Sequence, residues 1–204
     1  MSKSRQHNET PAPNLYFDRY FDMEAVKILP GEYYATARPM LIVTVLGSCV
    51  AVCIRDRING IGGMNNFMLP SAGSLIEPCD AASRYGSYAM TILLNELLKM
   101  GARRQHLEAK LFGGGHFSND LTTSNAGARN AEFVRNYLKL EKIPVIAEDL
   151  LDIYPRKIYF FPNQGAVMVK KLVRLNNNTI IRREQEHNTR LYQEKIIGDD
   201  ADLC

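Results

Sequence analysis

The rhythm of apolar and polar positions changes several times along this chain, and the changes mark its elements. Ala25 to Leu29, Glu32 to Thr36, Leu41 to Leu46 and Val50 to Arg55 are short runs rich in β-branched or aromatic residues, and turn-forming residues break the sequence around them. Such runs predict strands. Ile61 to Leu69 predicts a further strand, reached through Asp56-Arg57-Ile58-Asn59-Gly60. Between Ala82 and Met100 the period lengthens: Tyr85, Tyr88, Ala89, Ile92, Leu93, Leu97 and Met100 recur at helical spacing, and Gly101 is placed to stop the helix. Ala128, Ala131, Val134, Tyr137 and Leu138 mark a second helix over Ala126 to Leu140, with Ser124 or Asn125 as its N-cap. The strand rhythm returns over Leu107 to Phe112, Val145 to Glu148, Lys157 to Phe161 and Ala166 to Leu172, the last two joined by a hairpin at residues 162 to 165. Strands that outnumber two covering helices define an α/β fold. A polar arm over residues 1–22, a single domain over 23–174 and an irregular polar tail over 175–204 complete the expected organisation.

Composition narrows the function classes. The 204 residues carry a formal charge of +3, with Lys and Arg spread along the chain, which is not the footprint of a nucleic-acid binder. The apolar runs are far shorter than the ~18 residues a membrane helix needs. The N-terminus is polar and Pro-containing, with no apolar core of a secretory signal, so the expected compartment is the cytoplasm and no membrane insertion is expected. Four cysteines in a chain of this length do not make a disulfide framework. Cys49 and Cys53 stand three residues apart rather than two, with no paired histidines near them, so neither a metal nor another cofactor is expected.

The candidate chemistry sits at Thr44-Val-Leu-Gly-Ser-Cys49. Gly47-Ser48-Cys49 at the junction of two apolar strands puts a thiol on a tight turn, where neighbouring N–H groups can face a developing oxyanion. Gly113-Gly114-Gly115 at the end of a strand predicts a second loop able to wall the same site.

Seven segments, in order, resemble the CheD family: LPGEYYAT (29–36), LIVTVLGSCVAVCIRD (41–56), IGGMNNFMLP (61–70), EAKLFGGG (108–115), AGARNAEFV (126–134), IPVIAEDL (143–150) and YPRKIYFFP (154–162). The resemblance spans about residues 25–173. It implies a layered sandwich of mainly β-strands with two covering helices, shared with bacterial toxin deamidases. The implied activity is deamidation of glutamine on methyl-accepting chemotaxis receptors, with a CheC-type phosphatase as docking partner. Cys49 matches the nucleophile, and Thr44 the hydroxyl that orients the base. The departure is at Asn66, which stands where the family carries its histidine. Asparagine can place a hydrogen-bonding atom there but cannot exchange a proton near neutral pH.

Two hairpin registers remain open. A two-residue turn at Asn59-Gly60 sets Cys53 opposite Asn66. A four-residue loop over 56–59 with a bulge at Gly60, the favoured reading, sets Cys49 opposite it. His116, after the glycine run, is a substitute base if it reaches the thiol, and otherwise an exposed loop residue. The competing functions are therefore a thioester-forming glutamine deamidase and an impaired module that binds receptor or phosphatase. A thiol protease or acyltransferase fits less well, since no histidine matches the position such an enzyme needs.

Overall fold

The computed structural model describes residues 14–69, 79–116, 126–173 and 178–199. The described strands form two five-stranded sheets. One contains β1 (Asn14–Asp18), β2 (Met23–Lys27), β4 (Leu41–Leu46), β9 (Arg156–Phe161) and β10 (Ala166–Lys171), in the order β1-β2-β4-β9-β10. The other contains β3 (Tyr33–Thr36), β5 (Val50–Asp56), β6 (Gly62–Phe67), β7 (Leu107–Gly113) and β8 (Val145–Leu150), in the order β3-β6-β5-β7-β8. Both sheets are mixed: β2 runs parallel to β4, and β7 parallel to β8. Helices α1 (Cys79–Lys99) and α2 (Ala126–Leu140) cover the second sheet. This is the α/β sandwich, mainly of strands, that the sequence predicts. A third helix, α3 (Asn178–Asp199), lies beyond it.

Strand β5 is central because it is buried on both faces. Val50, Val52 and Ile54 pack with Leu93, Leu97, Val134 and Leu138 of the helices. Cys49, Ala51 and Cys53 face the other way and pack with Ile42, Leu46, Ile158 and Phe160 of the first sheet. A strand covered on both sides reads as a continuous apolar run instead of an alternating one, as Val50-Ala-Val-Cys-Ile54 does. Each large apolar side chain so buried contributes roughly 1.5–3 kcal/mol.

The β5–β6 hairpin fixes the geometry of the site. Val50 lies opposite Phe67, Ala51 opposite Asn66 and Cys53 opposite Met64. This register lies midway between the two that the sequence left open. The loop has four residues, but they are Arg57 to Gly60, one later than expected, with Gly60 in the left-handed region at φ 67°. The frame is set by Asp56, whose backbone N–H donates to the Ile61 carbonyl. Its buried carboxylate accepts from the N–H groups of Ile58, Asn59 and Arg103 and from the Asn59 side-chain amide.

Two more expectations need correction. Residues 14–18 of the expected arm are strand β1, paired antiparallel with β2. Residues 178–199 of the expected irregular tail are helix α3. Helix α2 keeps its expected bounds, but both N-cap candidates, Ser124 and Asn125, lie outside the described residues, as do residues 1–13.

Burial pushes the Asp56 carboxyl up, but hydrogen bonds from Asn59, Arg103 and Ile58 outweigh this and hold it well below the usual carboxylate range. Stability from Asp56 is therefore full above its ordinary value of 3.8 and lost as pH falls below it. We expect Asp56→Ala to cost about 2–4 kcal/mol, because it orphans several backbone donors. Urea unfolding should show a lower midpoint at unchanged slope, and a shift equivalent to less than about 0.5 kcal/mol would mean that water replaces the carboxylate.

Candidate active site

The turn Gly47-Ser48-Cys49, between β4 and β5, is held by its carbonyls. The Gly47 carbonyl accepts from the Gly115 N–H at 2.7 Å and the Cys49 carbonyl from the Gly114 N–H at 2.8 Å. The Ser48 carbonyl accepts from the Asn130 side-chain amide at 2.8 Å. Asn130 projects from α2, and its Oδ1 accepts from the Leu69 N–H, so one side chain ties the turn to the end of β6. Gly113 has φ 104°, and a Cβ there would lie 2.3 Å from the Cys49 carbonyl oxygen, so both backbone conformation and space demand glycine.

With their carbonyls fixed, the N–H groups of the same three residues converge on one point, which the carboxylate of Glu184 occupies. Gly47 N and Cys49 N donate to Oε1 at 2.9 and 3.2 Å. Ser48 N and Ser48 Oγ donate to Oε2 at 3.1 and 2.7 Å. The turn thus binds a planar two-oxygen group through backbone N–H groups, the donor arrangement that stabilises an oxyanion in acyl transfer. Gly114 and Gly115, expected as an oxyanion or wall loop of the site, commit their N–H groups to the carbonyls of the turn and shape it from behind.

Cys49 is completely buried. Burial pushes its thiol well above the ordinary cysteine range, and the charge of Glu184 together with a hydrogen bond to it pushes further the same way. In this arrangement Cys49 is a thiol, not a thiolate. Burial also raises the Cys53 thiol, which packs beside Met64 as a small core residue.

Asn66 lies opposite Ala51, so it shares a sheet face with Cys49 and sits diagonal to it, within reach of a long side chain. It is fully buried and donates from Nδ2 to Thr44 Oγ1 at 2.8 Å. Thr44 is also fully buried and donates to the Ile28 carbonyl at 2.9 Å, so its hydroxyl proton is committed and its lone pairs face Asn66. Asn66 Oδ1 is buried without a hydrogen-bond partner among the described residues. Of the residues the sequence singled out, Gly47, Ser48, Cys49, Thr44 and Asn66 therefore stand together. His116 stands apart: its side chain is exposed, and its N–H donates to the Asp152 carbonyl.

Three residues at the site were missed in the sequence: Asn130, Glu184 and His187. Asn130 had a usable signal, a polar residue on the buried stripe of α2. Glu184 and His187 had none, because α3 turns a partly polar face inward and so has no apolar stripe. His187 is buried against Gly31, where a Cβ would lie 2.4 Å from the ring. Its Nε2 has no hydrogen-bond partner among the described residues.

Fold and site define a layered α/β protein whose buried cysteine adjoins an anion-accepting turn. The family described as CheD chemotactic sensory transduction matches residues 68–171. A protein of Thiobacillus denitrificans is 60% identical over 196 residues, covering 96% of this chain and 96% of its own length. Proteins of Janthinobacterium sp. (strain Marseille) and Herminiimonas arsenicoxydans are 59% and 58% identical, each covering 92% of this chain and 93% of its own length. All three bear the name "Probable chemoreceptor glutamine deamidase CheD". The chain belongs to the CheD family. No described helix is long and apolar enough to cross a membrane.

Burial, and secondarily the charge of Arg190, lowers His187 to about 4, so the docked helix holds the ring neutral. Between the ordinary value of 6.5 and about 4, an undocked helix binds a proton that the docked one does not. Acid therefore weakens docking. Amide exchange over residues 180–190, corrected for intrinsic rates, should lose protection from pH 7.5 to pH 5. Constant protection across that range would contradict this.

Proposed function

We propose that this chain is a protein-glutamine deamidase that converts glutamine to glutamate on methyl-accepting chemotaxis receptors through a thioester on Cys49. The observation that carries the reading is the convergence of the Gly47, Ser48 and Cys49 N–H groups beside the Cys49 thiol. The Cys49 sulfur, as thiolate, attacks the side-chain carbonyl carbon. A C–S bond forms, and the carbonyl oxygen takes the negative charge against those donors. As the intermediate collapses, the C–N bond breaks and ammonia leaves, taking from water the proton that the Cys49 thiol gave up to water on ionising. Water then attacks the thioester, releasing the glutamate carboxyl and returning a proton to sulfur. The names borne by relatives at about 60% identity support the same reaction. A CheC-type phosphatase as docking partner and the cytoplasm as compartment belong to this reading by family resemblance.

Asn66 shapes the rate. Thr44 offers its lone pairs to position 66, where an imidazole would donate from Nδ1 and turn its other nitrogen towards the diagonal Cys49. Asn66 fills the donor role but moves no proton, and a positioned general acid–base contributes about 10²–10⁴ in rate. This chain is thus a slow deamidase on an intact scaffold.

Receptor glutamine should gain the small mass of an amide-to-acid conversion when incubated with this chain, and not with Cys49→Ala. Asn66→His should raise the rate by about 10²-fold or more. Receptor binding without conversion by any of the three would overturn the reading in favour of a binding module.

A further inference from the structure

The atoms around Cys49 place a carboxylate where the reaction places its product. Glu184 has the side-chain length of glutamine, and its Cδ carries two oxygens, as the product glutamate does. Both oxygens accept from the turn, Oε1 from the N–H of Cys49 itself. The group is borne on a helix whose inward face also carries Ile180 and His187, one turn to either side. Within residues 179–190 those three are the buried side chains, and two of them are polar, so the helix is held by geometry more than by apolar area.

We propose that α3 is a built-in product mimic: Glu184 occupies the seat of the substrate's glutamine side chain, and a helix-borne glutamine on the receptor must displace α3 to react. The idea rests on the deamidase reading for the identity of the displaced group, but not for the blocking itself. With α3 seated, the donors for the oxyanion are filled, and the carboxylate beside the sulfur opposes thiolate formation. The α3 register also describes the substrate: a glutamine on the face of an α-helix, with an apolar residue four positions before it in the place of Ile180.

Blocking is read without catalysis. In the full-length chain, alkylation of Cys49 by iodoacetamide, located by peptide mass spectrometry, should accelerate at least about tenfold in Glu184→Ala, because both the cover and the opposing charge are gone. Glu186→Ala, at an exposed position two residues away, should leave the rate unchanged. Equal rates for Glu184→Ala and the unaltered chain, with circular dichroism showing both folded, would overturn the proposal.

The seat is tested by chemistry. Glu184→Gln in the Asn66→His background turns the mimic into a substrate held in place. Cys49 should attack the new side-chain amide and expel ammonia, and water should then open the thioester to leave glutamate at position 184. Conversion should follow first-order kinetics independent of protein concentration and vanish when Cys49→Ala is added. Faster alkylation of Glu184→Ala, combined with no conversion at position 184 while the same Asn66→His background deamidates receptor, would remove the product-mimic assignment. If that background fails on receptor too, the deamidase reading falls and the alkylation result alone decides whether α3 blocks the thiol.

Discussion

The site depends on one constraint: the carbonyl groups of Gly47, Ser48 and Cys49 are all bound from one side. Gly114, Gly115 and Asn130 supply the three donors, one pair from the end of β7 and one from α2. A tight turn anchored through its carbonyls has little freedom in its N–H groups, which here point together away from the anchors. Preorganisation of this kind matters because donors already in place need not be reoriented as charge develops. It also explains the glycines around the turn. A side chain at Gly113 would strike the Cys49 carbonyl, so the approach that fixes the turn exists only without a Cβ.

Much of this was legible in the sequence, and the losses have physical causes. Val50-Ala-Val-Cys-Ile54 and the α2 stripe report burial directly, because apolar periodicity records which faces are covered. Gly-Ser-Cys announced a tight backbone turn, though the thiol on it is fully buried. The hairpin register was not legible, because Asn59-Gly60 is itself a turn signal. What decides the frame is the buried Asp56 carboxylate gathering donors from the loop and from Arg103, a residue forty-seven positions away. Such long-range capping leaves no local pattern. Helix α3 was lost for the opposite reason: its inward residues are Ile180, Glu184 and His187, and a face that is mostly polar does not register as a face.

The Thr44–Asn66 pair is a polar contact inside an apolar sandwich. Both residues are buried between two apolar sheets, where an unpaired polar atom costs about 1–3 kcal/mol. Asn66 keeps the hydrogen bond to Thr44 and leaves Oδ1 unpaired, so it bears part of that cost. The pair is oriented by Thr44, whose hydroxyl proton is held by the Ile28 carbonyl.

That polar pair and helix α3 meet at one short loop. Gly31 donates its N–H to the Asn66 carbonyl, Asn66 donates its N–H to the Glu32 carbonyl, and the His187 ring rests against Gly31. Gly31 has φ 83°, so no side chain holds the helix off. With α3 seated, His187 thus packs on the backbone partner of Asn66 while Glu184 fills the donors beside Cys49. Two of the four described buried side-chain atoms left without partners, Asn66 Oδ1 and His187 Nε2, belong to residues on either side of this loop. Helices that bury large apolar faces are permanent parts of a core, whereas one that buries a carboxylate and a neutral imidazole competes with water at both of those contacts. The seat of α3 is specific in shape but shallow in apolar burial, and a seat of that kind suits an occupant that has to leave.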